Sequence, residues 1–144
     1  MTGKKIAILK NYLSKSSKAA SWLKKSLTKC QKLKLTSPLE EQAFDTLENL
    51  TSRFARHSDI LFQKVFRLID QIELEPQNTL LDTLHRAAKR GFSNDQILEE
   101  IREIRNAIAH EYAEEDLEII FQKALALAPN LLEIQSQVDA YCKK

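Results

Sequence analysis

Residues 44–72 read FDTLENLTSRFARHSDILFQKVFRLIDQI, without a glycine or a proline. Phe44, Leu47, Thr51, Phe54, Ser58, Leu61, Val65, Ile69 and Ile72 recur at steps of three and four, the period that lines up one face of an α-helix. This stretch predicts one long amphipathic helix, running to about Glu73 and stopped before Pro76. Upstream, Thr36-Ser37-Pro38 reads as a restart, with Ser37 as the cap, Pro38 as the first helical residue and Glu40 as the third. On the middle turns Arg53, Arg56, His57 and Asp59 interrupt the apolar pattern. They suit either a salt-bridged outer face or a polar contact zone.

The same period extends outward in both directions. From about Lys5 to Leu33, Leu9, Leu13, Ser16, Ala20, Leu23, Leu27 and Cys30 form one stripe bordered by Tyr12 and Trp22, with lysines around the rest. A short helix is expected from Thr79 to about Lys89, opened by a reciprocal Thr79–Asp82 cap and stopped at Gly91. A fourth is expected from Asn94 to Ala109 or His110, with Ser93 and Gln96 as its capping pair. A fifth starts near Glu114-Glu115-Asp116, acidic residues that suit a helix amino terminus, and Pro129 should kink or restart it. No alternation of the strand type survives, so the fold class is all-α: an antiparallel helical bundle of about five helices, read as a single domain over 1–144.

Composition bounds the function. A 144-residue chain with 43% apolar residues is long enough for a real core. The apolar stretch near the start, Ile6 to Leu9, is too short for a signal-peptide core or a membrane span, so a cytoplasmic protein without membrane contact is expected. Cys30 and Cys142 read as ordinary thiols, and His57, His85 and His110 lack the spacing of a metal site; neither metal nor cofactor is expected. The net charge of +2 hides an asymmetry: residues 1–38 hold ten lysines and no acid, while the remainder sums to −8. The first helix, including Lys24 and Lys25, is either a solvated lysine face or a contact for RNA or an acidic partner.

The fourth helix concentrates chemistry. Ile97, Ile101, Ile104 and Ile108 share one side. With Arg105 set at zero, Arg102 lies near about 60°, Asn106 near about 100° and His110 near about 140°. An arginine fork can hold a phosphate and stabilise developing charge. A histidine can move a proton near neutral pH. Asn106 can orient the imidazole or donate to a phosphate oxygen, but it cannot be the base. Together they suit cleavage of a phosphodiester at a ribose 2′-hydroxyl. One histidine is short of the two proton-transfer groups this reaction uses, which points to a site assembled from two copies across a two-fold axis.

The stretch Arg105-Asn106-Ala107-Ile108-Ala109-His110-Glu111-Tyr112 resembles the signature of the HEPN superfamily, specifically the HepT-like ribonuclease toxins: arginine and a polar residue, histidine five positions after the arginine, tyrosine two later. The segment Leu127-Ala128-Pro129-Asn130-Leu131 and the helix order around it are also similar to that family's carboxy-terminal half. The resemblance implies a metal-independent endoribonuclease toxin, active as a homodimer, that leaves a 2′,3′-cyclic phosphate. Arg105 and His110 would be its catalytic pair and Asn106 their polar support. It further implies a nucleotidyltransferase antitoxin as partner, which would inactivate the toxin by adenylylating Tyr112. Arg102, Arg53, Arg56, His57, Lys24 and Lys25 are then candidate RNA or partner contacts. The alternative within the same resemblance is a non-catalytic nucleotide- or substrate-binding subunit of a nucleotidyltransferase.

Overall fold

A computed structural model describes residues 2–33, 39–77, 79–110 and 114–143. The expected cap at Ser37 and Pro38 and the motif residue Tyr112 fall outside them. The described residues form helices and no strand. Helix α1 is Thr2–Gln31. Helix α2 is one rod over residues 41–72, made of an α segment Glu41–Asp59, a π turn Ile60–Val65 and a second α segment Phe66–Ile72. Helices α3, Leu80–Lys89, α4, Asp95–Ala109, and α5, Glu114–Cys142, follow.

Side-chain pairings give the directions. Cys30 meets the Thr46 carbonyl, Arg53 reaches Ser26, and Lys64 lies over Tyr12, so α1 and α2 run antiparallel. Phe44 packs on Phe121, His57 bonds Gln135 and Tyr141 bonds Glu73, so α2 and α5 run in the same direction. The return is made by α4, whose start meets the far end of α5 through the Ser93 N–H and Gln137. The neighbours α1 and α2 are thus antiparallel, as are α4 and α5, while the two helices that sandwich the core with α1 are parallel.

The core is mostly apolar, with Leu23, Leu50, Phe54, Phe66, Ile101 and Ile134 fully enclosed and a few polar residues, His57 and Asp70 among them, buried beside them. The π turn lets α2 keep one face inside. From Ser58 its buried residues recur every four positions, through Phe62, Phe66 and Asp70. In an α-helix that spacing drifts by about 40° per step. The wider π turn takes up the drift, and Phe62 and Phe66 stack with centroids 5.3 Å apart.

Three boundaries differ from the sequence reading. Glu40 is not the third helical residue; its backbone is extended and α2 begins at Glu41. The preceding Leu39 N–H is held instead by the Glu118 carboxylate of α5. The α4 cap is Asn94 rather than Ser93, since Asn94 accepts from the Ile97 N–H. Ser93 takes a left-handed conformation, φ 59°, while its N–H is spent on Gln137. Pro129 neither ends nor restarts α5, which continues through it. Its ring is exposed, and Ala128, Leu131 and Ile134 around it are fully buried, so packing holds the helix where one backbone bond is lost.

The Thr79–Asp82 box is formed as expected. The ends of α2 and α3 are both Schellman turns, with Glu75 N–H on the Asp70 carbonyl and Phe92 N–H on that of Ala87. Glycine supplies the left-handed residue at 91, but Leu74 occupies that conformation after α2.

Candidate nucleic-acid cleavage site on helix α4

The buried side of α4 is set by Leu98, Ile101 and Ile104, with Ile97 and Ile108 packed at its margins. That burial turns Arg105 toward α2 and leaves Asn106 and His110 exposed, with Arg102 half-buried. His110 is the residue at which the helix ends, φ −92° and ψ 156°, its N–H on the Ala107 carbonyl. Arg105, Asn106 and His110 therefore share the carboxy-terminal end of α4, as the sequence geometry predicts.

Asp59, the last residue before the π turn, receives Arg105. Arg105 Nε donates to Oδ1 at 2.7 Å and Nη2 to Oδ2 at 3.1 Å. This hydrogen-bonded pair pushes the guanidinium pKa up, against a smaller opposing effect of burial, and the charge is permanent. A guanidinium has five N–H donors. Two are used by Asp59, so three remain for a phosphate. The arginine side chain is 37% exposed, and a ligand can reach them. The sequence reading grouped Asp59 with Arg53 and Arg56, but its partner lies 46 residues away, and no local spacing signals it.

The other candidates on α2 part company. His57 is fully buried, its Nε2 2.9 Å from Gln135 Oε1. Burial lowers its pKa, partly offset by that hydrogen bond. It is a core residue, and the expected surface contact there does not hold. Arg53 donates to Ser26 Oγ and to the Trp22 carbonyl, binding α2 to α1. Arg56 is exposed and faces a groove between those helices. Lys24 and Lys25 are exposed on α1, with the Lys25 ammonium 4.7 Å from the Trp22 ring centroid. His85 pairs with Asp95 at 3.2 Å, away from the motif.

Among the described residues no three His, Cys, Asp or Glu side chains are grouped as a metal site. No described helix is long and apolar enough to cross a membrane. Both cysteines are free; burial pushes Cys142 up to about 11 and raises Cys30 as well, which keeps both thiols protonated and unreactive.

Residues 23–138 match the family described as HepT-like, ribonuclease HepT-like. The chain belongs to this HepT-like ribonuclease family of the HEPN superfamily. No curated protein and no solved structure matches it significantly.

Proposed function

We propose that this protein is an endoribonuclease toxin whose site is built from Arg105, Asn106 and His110 of two copies of the chain. One observation carries the reading. Arg105 is fixed in place by Asp59 yet keeps free donors on an accessible surface, beside the exposed Asn106 and His110. An arginine so placed is preorganised for the charge that develops on a phosphorane. It costs no further ordering when RNA binds.

The proposed step needs only these groups. His110 of one copy takes the proton of a ribose 2′-hydroxyl, and the oxygen forms its bond to phosphorus. The bond from phosphorus to the 5′-oxygen breaks, and the same histidine of the second copy supplies the proton to that leaving oxygen. The products are a 2′,3′-cyclic phosphate and a 5′-hydroxyl. Arg105 neutralises the equatorial oxygens, and Asn106 donates to one of them or steadies the imidazole. Regulation is assigned to a nucleotidyltransferase antitoxin that adenylylates Tyr112. A phosphate two residues from His110 would occupy the place of the RNA phosphate and repel it.

The test uses protein freed of any antitoxin and checked for modification by intact mass. Wild type, Arg105→Ala and His110→Ala are incubated with RNA in chelator. Cleavage by wild type alone, with cyclic-phosphate ends, is the expected result. Equal cleavage by all three, or none by any, sinks the proposal, and the latter result together with nucleotide binding favours a non-catalytic subunit. Incubation with ATP and a nucleotidyltransferase encoded beside this chain should add adenylate to wild type and not to Tyr112→Phe.

A further inference from the structure

Trp22, the chain's single tryptophan, is 45% exposed on α1. It lines an open groove of about 690 Å³ between α1 and α2, together with Lys15, Lys18, Arg53, Arg56 and Ile60. Four of these are cations and none of the lining residues is acidic. The indole ring has the Arg53 guanidinium 5.0 Å and the Lys25 ammonium 4.7 Å from its centroid; Arg53 is fixed by Ser26 and the Trp22 carbonyl, whereas the exposed Lys25 is the one that a stacking base would displace. We infer that this groove binds single-stranded RNA, with one base stacked on Trp22 and the flanking phosphates on Lys15, Lys18 and Arg56.

Two features favour a nucleic-acid strand over an acidic polypeptide. A carboxylate-rich segment would satisfy the cations but has no use for a flat exposed indole, whereas every base has a face to stack. The groove is also lined by Ile60, the chain neighbour of Asp59, which grips Arg105, so the groove and the candidate cleavage site meet the same stretch of α2. The inference rests on the ribonuclease reading for its substrate, but its test does not depend on cleavage.

A fully 2′-O-methylated single strand of about ten nucleotides lacks the attacking hydroxyl and cannot be cut. Titrated into the full-length protein, it should quench the emission of Trp22, which reports on the groove alone. The logarithm of affinity should fall with the logarithm of salt, with about 0.7 of slope for each neutralised phosphate on a single strand. Lys18→Gln and Arg56→Gln should each flatten that slope by about 0.7. Trp22→Leu, followed by anisotropy of a labelled strand, should weaken binding by about five- to hundredfold. Arg105→Ala should keep the quench while losing RNA cleavage.

A strand that fails to bind, or binds without quenching, overturns the inference, as do slopes unchanged in both glutamine variants. So does equal quenching by polyglutamate, which would make the groove a site for acidic protein. A Trp22 emission that shifts with protein concentration alone, with no response to the strand, would assign the face to a second copy and also overturn it. Quenching and salt slopes as expected, in a protein that cuts no RNA, would uphold the groove and remove only the ribonuclease reading.

Discussion

Two aspartate–arginine clusters on α2, eleven positions apart in the chain, have nearly the same contact distances and opposite surroundings. At the end of α2, Asp70 is completely buried and takes Arg86 and Arg90 of α3 at 2.8 Å each. Arg90 also holds Glu73 at 2.9 Å, and Glu73 accepts the Tyr141 hydroxyl of α5. Burial opposes the charge of Arg90, but its bonds to Asp70 and Glu73 outweigh that and raise its pKa. Just past the middle of the rod, Asp59 and its partner Arg105 are 41% and 37% exposed. The first cluster is closed: its charges are matched within the protein, and it ties α2, α3 and α5 together. The second is open, with donors left over and solvent around it. Burial, rather than the pairing chemistry, separates a structural clamp from a site.

Removing one partner from each cluster should break that comparison in different ways. Asp70→Ala leaves two arginines facing a buried void without an anion. A loss of about 3–5 kcal/mol in chemical denaturation is expected, as for a buried pair stripped of one partner. A loss under about 1 kcal/mol would put it in the class of surface pairs. Arg105→Ala should show the reverse pattern. Its stability changes by less than about 1 kcal/mol, while RNA cleavage falls about a hundred- to a thousandfold, the range for removing one preorganised donor. Loss of stability comparable to that of Asp70→Ala would make Arg105 structural.

Asp59→Asn sharpens the contrast, since Asp59 acts through Arg105 as a positioning residue. The neutral amide releases the fork without emptying the space. A fall in kcat of about ten- to hundredfold is expected from a misplaced guanidinium, with KM unchanged or lower because the cation no longer shares its charge. A rise in KM at constant kcat would instead make Asp59 a substrate contact.

The smallest effect concerns His57, the buried histidine two residues before Asp59. Burial lowers its folded pKa, so below its ordinary value of about 6.5 the unfolded chain takes up a proton first. Stability should therefore be full above about pH 6.5 and decline as pH falls toward the folded pKa, by at most about 1.4 kcal/mol per pH unit for one proton. His57→Gln keeps a donor for Gln135 and should flatten this part of the profile. An identical profile in the variant would assign the acid sensitivity to other groups.

Much of the bundle was legible because its signals are local. The Thr79–Asp82 box and Gly91 act within one turn, and both stand where the spacing puts them. The face carrying Arg105, Asn106 and His110 follows from about 100° per residue and the buried isoleucines. What failed were positions where local options were nearly equal. Ser93 and Asn94 can both cap α4, and the distant Gln137 engages the Ser93 N–H and leaves the cap to Asn94. Pro129 reads as a kink or a restart, and the buried residues around it carry α5 through without a restart. The π turn follows from packing as well, since the same residues satisfy an α-helical pattern.

The sequence by itself determined that this chain is helical, where most helices run, and that an arginine, an asparagine and a histidine share one end of α4. These depend on periods and caps that span a few residues. Only the tertiary structure decided that Asp59 would hold Arg105, that His57 would be sealed in the core, and that Arg53, Arg56 and Trp22 would face one groove. Each of those depends on which helices lie side by side, and in which direction. Contacts across 46 or 78 residues are set by the packing of whole apolar faces, which no local spacing records.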